Sequence, residues 1–191
     1  TSHRVEAKQR TLAVDLSKRA FIEIKGLEIV GAAVSMAGAE DCTLEDCRLR
    51  YVEHIREYPG GKTPPSPNVV TGKRNTWRRC LIAYGATTAL TLSGEDNALL
   101  NCVVHDANYL GSGRGGLDLN RSVGARVEHC TVFRAGRDTI HHGGSKRIRL
   151  LYNDLYAGNM LNNDAGAIYC WGTDGEGGVI VYDVSSPTAP R

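Results

Sequence analysis

Leu99-Leu100-Asn101-Cys102-Val103-Val104 and Val127-Glu128-His129-Cys130-Thr131-Val132 are two copies of one phrase. Each has an apolar residue three before the cysteine and another two after it. Working outward, the phrase recurs around Leu27 (24–29), Cys47 (44–49), Cys80 (77–82) and Asn153 (150–155). The steps between equivalent positions are 20, 33, 22, 28 and 23 residues. A period of about 20–25 residues with occasional insertions marks a solenoid, in which no single repeat can bury its own apolar face.

Four of the six cysteines take one repeat each, at a position that Leu27 and Asn153 fill elsewhere. Exchange with Leu and Asn argues against a disulfide framework, and no Cys-x-x-Cys pair favours zinc. The cysteines are read as buried thiols packing as small hydrophobes. Asn153 brings a polar group into the same stack and must find hydrogen-bond partners there.

A second apolar phrase lies downstream in each repeat, at 33–38, 89–94, 116–121, 139–144 and 167–172. Apolar residues alternate and a Gly or polar turn follows, which is strand periodicity bounded by turn signals. No useful window shows a helical stripe. The predicted fold is all-β: a single-stranded, right-handed parallel β-helix of about six to seven coils, with each strand about 4.8 Å from its counterpart in the next coil. One domain over 1–191 is expected, reading as part of a longer chain. It carries a Pro/Gly-rich loop insertion at 52–74 and a Gly-rich one at 105–116. Gly111–Gly116 matches Gly-x-Gly-x-x-Gly, but a strand rather than a helix follows, so the match is read as a turn.

Bulk properties exclude some classes. Lys and Arg number 23 against 21 Asp and Glu, for a net charge of +2, so charge alone gives no argument for a polyanionic partner, and no nucleic-acid partner is expected. No run approaches the roughly 18 apolar residues of a membrane span, and no signal peptide is visible.

The candidate site follows from the strand register. Ser35, Thr91, Asp118, His141 and Tyr169 share one outward position on successive recognisable coils, while neighbours such as Leu117, Leu119, Ile168 and Cys170 point inward. His142 falls inward under this register. Arg114, Arg137, Asp138 and Asp164 stand just before the strands, and Trp171 is the next outward residue after Tyr169. Glycoside hydrolysis commonly uses two carboxyl groups, about 5–5.5 Å apart in retaining and about 6.5–9.5 Å apart in inverting enzymes. Asp138 and Asp164 on adjacent coils suit such a pair, with Asp118 as substitute partner, and His141 suits a proton relay. Arg137, Arg114, Tyr169, Trp171 and His142 are the expected sugar contacts. Elimination on a uronate polymer is the alternative, with Arg137 or Lys146 neutralising the carboxylate and His141 or Tyr169 as base. A non-catalytic, glycan-binding or spacer role is the third reading. No cofactor is expected, and a Ca²⁺ site finds little support without a dense acidic cluster.

The run Gly136-Arg137-Asp138-Thr139-Ile140-His141-His142, followed by Asn163-Asp164-Ala165-Gly166-Ala167-Ile168-Tyr169, resembles right-handed parallel β-helix proteins of the pectate-lyase-like superfamily. The Asp-x-Gly-Ala-Ile-Tyr phrase is similar to one in bacterial β-helix glycoside hydrolases. The resemblance covers about residues 12–184. It implies a carbohydrate-active protein working on a polysaccharide or oligosaccharide, in an extracellular or periplasmic setting, with Asp164 carried over as a catalytic candidate. Asp138 matches by position only.

Overall fold

The computed structural model describes residues 10–53, 68–170 and the strand Val181–Tyr182. The predicted sugar contact Trp171 lies outside the described residues, as do residues 54–67 of the first insertion.

The chain lays down short strands in three larger sheets, visited in rotation. The first sheet runs Leu12–Asp15, Ala33–Met36, Val69–Val70, Leu90–Leu92, Leu117–Asp118, Ile140–His142 and Ile168–Cys170. The second runs Glu23–Lys25, Thr43–Glu45, Thr76–Arg78, Ala98–Leu100, Arg126–Glu128, Arg149–Leu151 and Val181–Tyr182. The third runs Glu28–Val30, Arg48–Glu53, Leu81–Gly85, Val103–Ala107, Thr131–Ala135 and Asp154–Tyr156. A further pair, Gly94–Glu95 with Ser122–Val123, extends the exit of the first sheet. All these pairings are parallel. The architecture is all-β and parallel, consistent with a β-solenoid. One circuit through the three sheets is called a rung below.

Local conformation explains the circuit. At each end of the second sheet, and at the end of the third, one residue per rung has positive φ. Before the cysteine position these are Gly26, Asp46, Arg79, Asn101, His129 and Tyr152. At the entry to the second sheet they are Phe21, Asp41, Arg74, Asp96, Gly124 and Arg147. In or just beyond the third-sheet strands they are Gly31, Tyr51, Tyr84, Asp106, Arg134 and Ala157. Each left-handed residue other than Gly costs about 1–2 kcal/mol, so something at every corner must offset it.

Hydrogen-bonded ladders do so. Cys80 N–H donates to Cys102 Sγ at 3.3 Å, Cys102 N–H to Cys130 Sγ at 3.4 Å, and Cys130 N–H to Asn153 Oδ1 at 2.9 Å. The side chains donate back to carbonyls of the preceding rung: Cys102 Sγ to Trp77 at 3.6 Å, Cys130 Sγ to Leu99 at 3.4 Å, and Asn153 Nδ2 to Val127 at 2.8 Å. Cysteine here does the work of asparagine, accepting one corner N–H and donating to one carbonyl. All six cysteines are free thiols, and only Cys170 is exposed. Burial pushes the Cys47 thiol up, and hydrogen bonding of the Cys102 thiol to Cys130 and Cys80 pushes Cys102 up, which keeps both protonated.

A second ladder stands five residues upstream, at the entry to the second sheet. Cys42 N–H donates to Asn75 Oδ1 at 3.0 Å, and Asn75 N–H to Asn97 Oδ1 at 2.8 Å. The two ladders bracket strands of three residues whose central side chains, Leu44, Trp77, Leu99, Val127 and Leu150, form one inward column. Ile29, Leu49, Ile82, Val104 and Val132 of the third sheet and Leu90, Leu92, Leu117, Leu119 and Ile140 around the first complete the core.

The insertions are narrower than the sequence indicates. Val52 and Glu53 belong to a third-sheet strand and residues 69–70 to a first-sheet strand. Residues 105–107 are also strand, so the second loop begins at Asn108.

Candidate functional site

The first-sheet register pairs Ser35 with Val69, Val69 with Thr91, Thr91 with Asp118, Asp118 with His141, and His141 with Tyr169. Leu117 and Ile140, one residue before Asp118 and His141, face the core. His142 follows His141 on the core side and is buried. Val69 stands in the third rung, where the sequence reading had no member.

The column faces away from the core yet is enclosed. Asp118 is fully buried and His141 is 7% exposed. The cover comes from the turns that lead into the strands. Asn108, itself buried, organises the turn before Leu117: its Oδ1 accepts from Ser112 N–H at 2.8 Å, and its Nδ2 donates to the carbonyls of Ser112 at 3.0 Å and Arg114 at 2.5 Å. Arg114 is thereby brought over the column, and its Nη1 donates to Asp118 Oδ2 at 2.6 Å. The other oxygen of Asp118 accepts from the Asn120 N–H at 2.9 Å.

One rung on, Asp138 is also fully buried. Its Oδ1 accepts from Arg137 Nη1 at 2.7 Å, and its Oδ2 lies 3.0 Å from His141 Nδ1. Nδ1 also lies 3.3 Å from Arg137 Nη1, which can only donate; assigning the hydrogen to Nδ1 follows the shorter contact with the carboxylate and leaves Nε2 as the acceptor. Arg137 continues across the site: Nη2 donates to the Asp164 carbonyl at 2.9 Å and stands 3.8 Å from Asp164 Oδ2. Its guanidinium also lies 4.5 Å from the Tyr169 ring centre, a cation–π contact. The Tyr169 ring is 5.5 Å from His141, tilted by 31°.

Arg137 therefore joins a buried Asp138–His141 pair to Asp164, whose side chain is 83% exposed. Asp138 and Asp164 sit on the two ends of one guanidinium, which keeps their nearest oxygens inside the roughly 9.5 Å outer separation of inverting glycosidases. The two carboxyls are not equivalent. Both oxygens of Asp138 are occupied, as are both of Asp118. Asp164 alone among the three presents its carboxyl to solvent.

Gly115 is the residue that sequence reasoning missed. A Cβ there would lie 2.7 Å from Asp138 Oδ2 and 2.8 Å from both the backbone nitrogen and Cβ of His141. The turn thus packs its bare backbone against the pair. The signal lies in the run Gly111–Gly116, whose pattern marks a turn without showing what the turn packs against. Among the described residues no group of three or more His, Cys, Asp or Glu is arranged to hold a metal ion.

The third sheet carries a different outer column. Tyr51 stacks on Tyr84 at 4.8 Å, His105 on Phe133 at 5.1 Å, and Phe133 on Tyr156 at 4.9 Å, with an edge contact of 5.6 Å between Tyr84 and His105. Rings stacked along the rungs cover one another's faces and turn their edges outward, so the interior of this stack offers no platform for a pyranose face.

No protein-family model matches the chain, and neither does any curated protein or solved structure.

Proposed function

We propose that the chain is a right-handed parallel β-helix of the pectate-lyase-like kind, acting outside the cytoplasm as a glycoside hydrolase on a polysaccharide. The observation that carries this reading is Arg137, which ties the exposed Asp164 to the enclosed Asp138–His141 pair on one outer column.

The chemistry divides between the two ends of that guanidinium. Asp164 is the group that reaches the sugar, and it donates a proton to the leaving glycosidic oxygen. His141 Nε2 takes a proton from the water that attacks the anomeric carbon. Asp138 acts through His141, holding the imidazole in the tautomer with Nε2 free and stabilising the imidazolium that forms. Tyr169 and Arg114 edge the site and contact the substrate.

General acid–base catalysis by one side chain contributes typically about 10²–10⁴-fold. Asp164→Asn is expected to lower release of reducing ends by at least about 100-fold on whichever member of a polysaccharide panel the wild-type protein cleaves. Unchanged turnover in that variant removes Asp164 from the reaction. A second reading, β-elimination on a uronate polymer, draws on the same Asp138–His141 pair, because elimination needs one positioned base beside a cation. Its products absorb in the ultraviolet through their new double bond, and hydrolysis products do not.

A further inference from the structure

The corner between the first and second sheets changes character along the stack. In the earlier rungs its charges alternate and pair. Glu40, Lys73 and Glu95 bridge one another in register, with Lys73 Nζ 3.1 Å from Glu95. Arg74 holds Asp41 of the preceding rung through two hydrogen bonds, of 2.9 and 2.7 Å. On the adjoining second-sheet face Lys25 and Arg78 both reach Glu23 and Glu45.

Two rungs later the acids are gone and the cations remain. Val123 and Gly124 replace the acidic members, and Lys146 and Arg147 follow at the same two positions. Arg126 pairs in register with Arg149, placing two cations one strand spacing apart. Arg121 joins them, its N–H bonded to the Gly143 carbonyl and its side chain beside Gly144. Arg121, Lys146, Arg147 and Arg149 are exposed and make no ion pair among the described residues. The nearby acids are Glu128, 3.8 Å from Arg126, and Asp96, which packs against Gly124. Like charges directly opposite in a sheet are destabilising, so this corner retains a cost that the same corner removes three rungs earlier.

We propose that Arg121, Arg126, Lys146, Arg147 and Arg149 form an anion-binding site for an acidic polysaccharide, outside the Asp164–His141 site. It rests on the reading that the chain acts on a polysaccharide. Arg126 and Arg149, one strand spacing of about 4.8 Å apart, match carboxylates or sulfates carried by successive sugars of an extended glycan. Arg121 lies three residues beyond Asp118, so the cationic corner adjoins the polar column on the same rung. A duplex nucleic acid fits less well, because the chain has a net charge of only +2 and a pI near 8.2, below the strongly basic footprint of nucleic-acid-binding domains.

The test measures binding by affinity electrophoresis in gels containing polygalacturonate, dextran sulfate or neutral dextran. The wild-type protein is expected to be retarded by the two polyanions and not by neutral dextran. The combined variant Arg121→Gln, Lys146→Gln and Arg149→Gln is expected to bind polygalacturonate at least tenfold more weakly, with a shallower salt dependence. Lys18→Gln with Arg19→Gln, on the first rung, is expected to leave binding unchanged. Asp164→Asn is also expected to keep it, which separates this proposal from the hydrolase reading. Binding without cleavage by the wild-type protein overturns only that reading, whereas cleavage of neutral polymers without polyanion retardation overturns only this one. Equal retardation of the triple variant, or displacement of polygalacturonate by a duplex oligonucleotide at lower charge concentration, also overturns it.

Discussion

On the third sheet, Tyr51, Tyr84, His105, Phe133 and Tyr156 run across five rungs as a nearly continuous stack of rings. On the first sheet, the outer column holds Thr91, Asp118, His141 and Tyr169, and no two consecutive members are alike. Parallel in-register pairing builds the first-sheet column and the His105–Phe133–Tyr156 part of the ring stack, placing each residue over its counterpart one rung away. Tyr84 stands one residue past Ala83, the register partner of His105, and meets that ring edge-on. Similar neighbours then satisfy one another: a ring meets a ring. Unlike polar neighbours cannot, and they draw partners from the turns before the strands. Arg114 comes to Asp118, and Arg137 with Asp138 comes to His141. A column that needs such help collects charged groups in one place, and that is where chemistry becomes available.

The contrast breaks most sharply at Asp138. Its carboxylate is the partner of a guanidinium that is itself buried, with both side chains almost without exposure. Removing one member of a buried pair leaves the other charge uncompensated, at a typical cost of about 3–5 kcal/mol. Asp138→Ala is expected to lose that much in urea unfolding and to lose hydrolysis with it. A cost under about 1 kcal/mol, the scale of a surface pair, would show that Arg137 finds a substitute partner and that the cluster is not one unit.

Phe133→Ala addresses the other column. It removes two stacking contacts, each contributing about 0.5–1.5 kcal/mol beyond area burial, and frees the Arg134 guanidinium that lies 4.8 Å from the ring centre. The expected loss is about 2 kcal/mol with turnover per folded molecule unchanged. A fall in turnover at constant stability would mean that the stack serves the site, and the contrast between the two sheets would fail.

Much of this was legible before any coordinates. The recurrence of Cys47, Cys80, Cys102, Cys130 and Asn153 carries the register, because a hydrogen-bonded corner accepts few side chains and repeats them. Alternation around Leu117, Ile140 and Ile168 then puts Asp118, His141 and Tyr169 in one column. Val69 escaped because it lies within 52–74, the stretch read as a loop insertion, and is apolar at a position otherwise read from polarity. The second ladder escaped although Cys42, Asn75 and Asn97 sit five residues before Cys47, Cys80 and Cys102. Its other members, such as Ala125 and Ile148, are plain hydrophobes and hide the repeat. Enclosure was not legible at all. Outward-facing in a strand says nothing about a turn crossing above, and it is the turn built on Asn108 and Gly115 that buries Asp118 and Asp138.

The smallest expected effect tests where the aromatic column shades into the charged one. Asp106 and Arg134 are corner residues of adjacent rungs, joined by hydrogen bonds of 2.7 and 2.5 Å, and Asp106 also meets His105 Nδ1 at 2.6 Å. The Arg134 guanidinium holds the Asp106 carboxyl below the usual carboxylate range, against the opposing effect of burial. A carboxyl whose folded value is depressed contributes stability above its unfolded value, near pH 3.9, and loses that contribution as pH falls through the folded value. Arg134 is nearly half exposed, so solvent screening limits the pair to about 0.5 kcal/mol. Asp106→Asn is therefore expected to cost about 0.5 kcal/mol at pH 7, a cost that shrinks as pH falls through the folded value of the wild-type carboxyl. A cost that persists at low pH would assign Asp106 to packing beside the His105 ring, making it part of the aromatic column and not an ionic clasp upon it.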